Sequence, residues 1–169
     1  MLKPFITWFH VKYSCLAALL YSIPVLIFIY NATYTDAWLL YLGNGLFLCT
    51  LSLFMLSYNR KKYENASAMF MLVSGHVTTL AGVFIACLIC FIFLVLLVPG
   101  LLHPGIAGKV LTKAPVSSVD DKTNGLNFMV FVNAIIGNVS AGSFASIIFA
   151  FTVKRDQTKA SGVSTVKNT

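Results

Sequence analysis

The sequence predicts an all-α integral membrane protein, a bundle of four transmembrane helices with both termini on the cytoplasmic side. Three observations predict it. Of 169 residues, 58% are hydrophobic and only 10% charged, with a mean hydropathy of +0.84. A soluble domain carries about 25% charged residues, so a water-exposed surface is excluded. The apolar sequence divides into four runs, at 14–30, 37–58, 68–98 and 125–153, and none holds an Asp, Glu, Lys or Arg. Finally, the basic residues collect at one set of run ends.

Each run is long enough to cross once, because a hydrocarbon core of about 30 Å needs ~20 helical residues. Backbone groups in lipid must be satisfied within the segment, and the alternation expected of barrel strands is missing, so each run reads as a helix. Pro4 suits a first helical turn. Trp8, His10, Lys12 and Tyr13 then form an aromatic and basic collar before the first run, as expected at a membrane interface. Lys3 and this run resemble the first two regions of a signal peptide. The stretch after Tyr30 offers no small-residue cleavage site, so the helix reads as retained.

Tyr30, Tyr34 and Trp38 make a second collar around a short hairpin, which predicts antiparallel neighbours for the first two helices. Asn59 to Glu64 joins the second and third helices. The connection 99–124 is long and carries Pro99, Pro104 and Pro115 among Leu101, Leu102, Ile106, Val110 and Leu111. Long connections are usually functional or disordered. The apolar content predicts an external loop whose first half folds back on the membrane surface or on the hairpin. The tail 154–169, rich in Ser, Thr and Lys, reads as a disordered cytoplasmic extension of a single four-helix domain, 1–153.

Twelve Lys and Arg face five Asp and Glu, for a net charge of +7. Lys3, Lys12, Arg60, Lys61, Lys62, Lys154, Arg155, Lys159 and Lys167 fall on one side of the four runs, and Lys109, Lys113 and Lys122 on the other. The first side is cytoplasmic by the positive-inside rule. The charge is thus a topology signal and implies no nucleic-acid partner. Small size and this bias point to a bacterial inner (cytoplasmic) membrane.

Helices in lipid associate through small residues that let backbones approach. Gly75, Thr79, Gly82, Ala86 and Cys90 share one face of helix three, and Asn127, Ala134, Asn138, Ala141, Gly142 and Ala145 make a matching stripe on helix four. Helix two offers Gly45, Cys49 and Ser52, and helix one Cys15, Ala18 and Ser22. The large apolar residues are expected to face lipid. The alternative use for a subset of the stripes is contact with another subunit or a second copy of the chain.

Intramembrane polar residues are costly and often functional. His76, Asn44, Asn127, Asn133 and Asn138 are therefore the candidate ligand-binding or interhelical polar residues. They predict either hydrogen bonds between helices or a small polar site among helices two, three and four. A lipid head group or a quinone-like molecule would suit such a site.

The sequence shows no catalytic, cofactor or metal set. Cys87-Leu-Ile-Cys90 is a CxxC, but thiol oxidases and vitamin K reductases that use such a pair also need two loop cysteines, and no loop here has one. The helix-one glutamate of small multidrug exporters and the paired histidines of a cytochrome b bundle have no counterpart. His103, Asp120 and Asp121 share the external loop without a metal-site spacing. The expectation is a non-enzymatic accessory or scaffold subunit, or a lipid-organising protein. The alternative is a small-molecule carrier or channel with a path near Asn44, His76 and Asn138. The lipid bilayer is the expected partner in either case.

Overall fold

The structure is a computed structural model that describes residues 7–61, 67–98, 110–114 and 125–166, with 60–61 and 153–166 described by their backbone alone. Among these residues the architecture is helical. Helix α1 spans Trp8–Asn31, α2 Trp38–Lys61 and α3 Ala68–Leu97. Helix α4 (Leu126–Val132), a π-helical turn (Asn133–Gly137) and α5 (Asn138–Val166) follow one another as a fourth rod. Four stretches are long and apolar enough to cross a membrane: Trp8–Asn31, Tyr34–Asn59, Ala68–Leu97 and Leu126–Thr152.

Helix α1 begins in the collar, ahead of the apolar run, because interfacial residues are helical even where they are not apolar. The Thr7 backbone N–H donates to His10 Nδ1 at 3.2 Å, so a histidine takes the place of the usual Glu or Gln of a capping box. The His10 ring is buried against Phe54 and Tyr58, with centroids 5.4 and 5.1 Å away. At its far end α1 stops at Ala32, whose left-handed φ of 47° turns the chain and whose N–H meets the Phe28 carbonyl at 2.8 Å.

The hairpin that follows is held by the long connection. Tyr34 N–H donates to the Thr112 carbonyl at 2.9 Å and Thr112 N–H to the Ala32 carbonyl at 2.8 Å. Leu111 beside them is buried in the core. The part of the connection that folds onto the hairpin is thus 110–114, and the remainder of 99–124 lies outside the described residues. At the other end of the chain the α5 backbone stays helical through Val166, where composition alone suggested a disordered tail from 154. Extending an existing helix needs no new nucleus, so a polar stretch can continue it. Residues 167–169 lie outside the described residues.

Helix α1 packs on α2 and α3, α5 packs on the same two, and α2 and α3 meet only slightly across a diagonal. Small side chains such as Ala17, Ala18, Ala86, Ala134 and Ala145 are buried, while Leu19, Ile23, Leu80, Phe84, Phe144 and Phe151 are exposed. That is the reverse of a soluble protein. Small residues inside allow close helix approach. On α2 the expected small-residue face is not the one that packs: Gly45 and Cys49 are exposed, and Gly43, Phe47, Thr50 and Phe54 turn inward. The Tyr21 ring explains the swap, since it lies against Gly43, where an added Cβ would stand 3.0 Å from it.

The fourth rod buries Leu126, Val130, Ala134, Asn138, Ser146 and Ala150, together with Gly142, a column of every fourth residue. Four residues of α-helix turn through about 400°, so such a column drifts by ~40° at each step. A π turn is wound more loosely and takes up part of that drift. The turn at Asn133–Gly137 thus lets Leu126 and Val130 share the inward side with Gly142 and Ser146.

Candidate functional site

The small-residue stripes of α3 and α5 meet directly. An added Cβ at Gly75 would collide with the Ser146 side chain, and one at Gly142 with Thr79. Gly82, two turns beyond Gly75 on α3, instead receives Phe47 of α2, 3.0 Å from where its Cβ would be. Ala86 and Ala134 are fully buried in the same core, and Ala141 is half-buried at the edge of the seam. Hydroxyls along this seam bond carbonyls of their own helix: Thr79 Oγ1 donates to Gly75 at 2.8 Å and Ser146 Oγ to Gly142 at 2.7 Å. That pattern satisfies the hydroxyls without water.

The five candidate polar residues do not form one cluster. His76, half-buried, places Nδ1 2.9 Å from the Leu72 carbonyl of its own helix. Asn138 is wholly buried, donates Nδ2 to the Ala134 carbonyl at 3.1 Å, and leaves Oδ1 without a partner. The fully buried Tyr21 hydroxyl of α1 lies beside Asn138, without hydrogen-bond geometry between them. Asn127 is half-buried with an unpartnered Oδ1. Of the five, Asn44 and Asn133 are the two that bond each other across helices, the Asn44 amide donating to Asn133 Oδ1 at 2.6 Å.

The π turn produces that pair. It carries Asn133 at its first position and Gly137 at its last. An added Cβ at Gly137 would stand 2.6 Å from Asn44 Nδ2 and 2.8 Å from Asn133 Oδ1. Only a residue without a side chain leaves room for the two amides to meet.

Beside the pair lies a groove of about 420 Å³ between the start of α2 and the fourth rod. Tyr34, Ala37, Leu40 and Tyr41 form one wall; Phe128, Met129, Val132 and Ile136 the other, with Asn133 and Gly137 also lining it. Among the described residues no charged side chain lines it. Its volume falls in the range of small-molecule sites, about 300–1,000 Å³. Tyr41, Phe128 and Ile136 are among the most exposed apolar side chains, so the groove opens on the outer face of the bundle. Asn44 Oδ1 and Asn133 Nδ2 are both buried without a hydrogen-bond partner, which leaves the amide pair half used.

The chain matches no protein-family model, no curated protein and no solved structure. Function has to be read from the side chains themselves. Among the described residues no three His, Cys, Asp or Glu side chains converge on a point. Cys87 is half-buried and Cys90 fully buried, and both are free thiols. The sequence singles out Asn44 and Asn133 by their cost in lipid and Tyr34 as an interfacial anchor, but not Gly137 or Tyr41. A small-residue count marks Gly137, yet nothing in the sequence announces a π turn.

Proposed function

We propose that the protein crosses the membrane four times with both termini cytoplasmic, and works without catalysis as a lipid-organising or accessory subunit that holds an amphiphilic molecule in the α2–α4 groove. One observation carries this reading: an apolar groove with Asn133 of a half-used asparagine pair in its wall opens onto bundle faces covered by large exposed apolar residues. A molecule entering it from the bilayer stays in apolar surroundings while gaining a polar contact. The inner-membrane location rests on the basic bias of the sequence, which supports the topology as well.

Native mass spectrometry of the full chain released gently from detergent tests the proposal. The wild-type protein is expected to retain an adduct of lipid-like mass. Ile136→Phe, which fills the groove from its exposed rim without touching the asparagines, should lose it. Equal retention by both, or no retained molecule in either, contradicts the reading.

A further inference from the structure

The lining of the groove sets the chemistry of what it holds, given the reading that an amphiphile occupies it. Asn133 Oδ1 already accepts from Asn44, so the capacity left on Asn133 is the two N–H bonds of Nδ2, which have no partner. The other polar groups on the walls are the phenol hydroxyls of Tyr34 and Tyr41 at its exposed rim. Asn44 Oδ1, the unpartnered acceptor of the pair, belongs to a residue that does not line the groove. Amide N–H only donates, whereas the phenol O–H both donates and accepts. The unpartnered polar group of the wall is therefore a hydrogen-bond donor, Asn133 Nδ2, set among apolar side chains.

The same lining disfavours charge. Among the described residues neither Lys nor Arg is in the wall, and a carboxylate or phosphate drawn to this depth would be desolvated without a counter-ion from that lining. Asn133 sits eight residues beyond Gly125, roughly 12 Å along the rod at 1.5 Å per residue. The donor thus lies well below the helix start. An unused amide donor buried in apolar surroundings carries an uncompensated desolvation cost. Asn133 lines the groove, and the terminal torsion of an asparagine is broad, so binding is expected to turn the amide and bring Nδ2 to the wall surface at some cost to the Asn44 bond.

We infer that the groove is a binding site for an uncharged amphiphile bearing a carbonyl, whose oxygen accepts from Asn133 Nδ2 while its apolar body lies between Leu40 and Tyr41 on one side and Phe128 and Ile136 on the other. Two sources supply that chemistry: the ester of a glycerolipid and a carbonyl ring on an isoprenoid tail.

Fluorescence of Trp38 provides the test. This residue adjoins Ala37 of the groove wall and is exposed. In the full chain carrying Trp8→Phe, in nanodiscs, three probes are titrated: a decyl-benzoquinone, a dibrominated fatty methyl ester and a dibrominated alkane of equal length. Saturable quenching by the quinone or the ester is expected, and whichever saturates identifies the source. The alkane should give only the linear quenching of bulk partition. Asn133→Leu should weaken the carbonyl probe about tenfold, the equivalent of one to two hydrogen bonds. Asn44→Leu/Asn133→Leu removes both amides, leaves no orphaned partner and should show the same loss, so impaired folding of the single variant does not decide the result. An alkane that saturates as tightly as the carbonyl probes, or a double variant that binds them unchanged, overturns the carbonyl assignment and leaves the groove as an amphiphile site. If no probe saturates at all, both the assignment and the reading beneath it fail.

Discussion

Asn44 of α2 donates its side-chain amide to Asn133 Oδ1 at 2.6 Å, and the π turn that carries Asn133 ends on Gly137, which leaves the space in which they meet. A hydrogen bond between membrane helices contributes about 0.6 kcal/mol on average and up to ~1.7. Asn44→Leu leaves Asn133 with no partner in apolar surroundings and is expected to destabilise the bundle by about 1–3 kcal/mol. The double variant Asn44→Leu/Asn133→Leu should recover most of that loss. Reversible unfolding in mixed micelles, run as a double-mutant cycle, measures the coupling; additive effects would show that the bond contributes nothing.

Crowding at the α3–α5 seam gives a second expectation. Gly142 faces Thr79 so closely that an added Cβ collides with it, whereas Gly45 has nothing within 4 Å. Gly142→Ala should cost roughly 1–3 kcal/mol through overpacking. Gly45→Ala should be neutral or stabilising by up to about 1 kcal/mol, the difference in helix propensity. Thermal unfolding of the two purified variants checks this. Equal losses would mean that the seam is not the tight contact.

These glycines also show what was legible in the sequence. The four helices and the closeness of α3 to α5 follow from run length and from small residues at spacings of three and four. Gly45 and Cys49 have the same look on α2, yet they face outward, because Phe47 fills the space at Gly82 and Tyr21 the space at Gly43. Residue size alone cannot tell which of two small-residue faces a neighbouring ring will occupy. Asn44 and Asn133 stood out as polar residues in apolar runs. Their partnership did not, because it depends on a π turn that shifts the register between α4 and α5. His76 and Asn138 stood out for the same reason and bond within their own helices.

The π turn itself can be tested. Deleting Ile135, an exposed residue within it, restores ordinary α-helical winding while keeping α4 and α5 in nearly their present register, because the ~100° lost with the residue is about what the five loosely wound residues fall short of α-helical rotation. Leu126 and Val130 should stay in the core, and stability should change little. Inserting one alanine after Val132 instead adds ~100° that the rod does not absorb, turns Leu126 and Val130 out of the core, and should bring a large loss of stability together with loss of the groove adduct. Equal stability of the two variants in thermal unfolding would show that the loose turn does not set how α4 faces α5.

Topology has its own check. In a background with Cys15, Cys49, Cys87 and Cys90 replaced by Ala, single cysteines at Ser117 and Ser161 are treated in whole cells with a membrane-impermeant maleimide. Ser117→Cys should react and Ser161→Cys should be blocked until the cells are opened. The reverse pattern would invert the orientation proposed from the basic residues.

Photolabelling in native membranes bears most directly on the groove. A diacylglycerol, an uncharged glycerolipid, carrying a diazirine in one acyl chain is crosslinked to the full chain, and the labelled peptides are mapped. Label should concentrate on the segments holding Tyr34 to Tyr41 and Phe128 to Gly137, above the exposed α3 surface at Leu80, Phe84 and Phe91. Ile136→Phe should erase that excess. Label spread over all exposed apolar faces in proportion to their area, unchanged by the substitution, would contradict a lipid-holding groove.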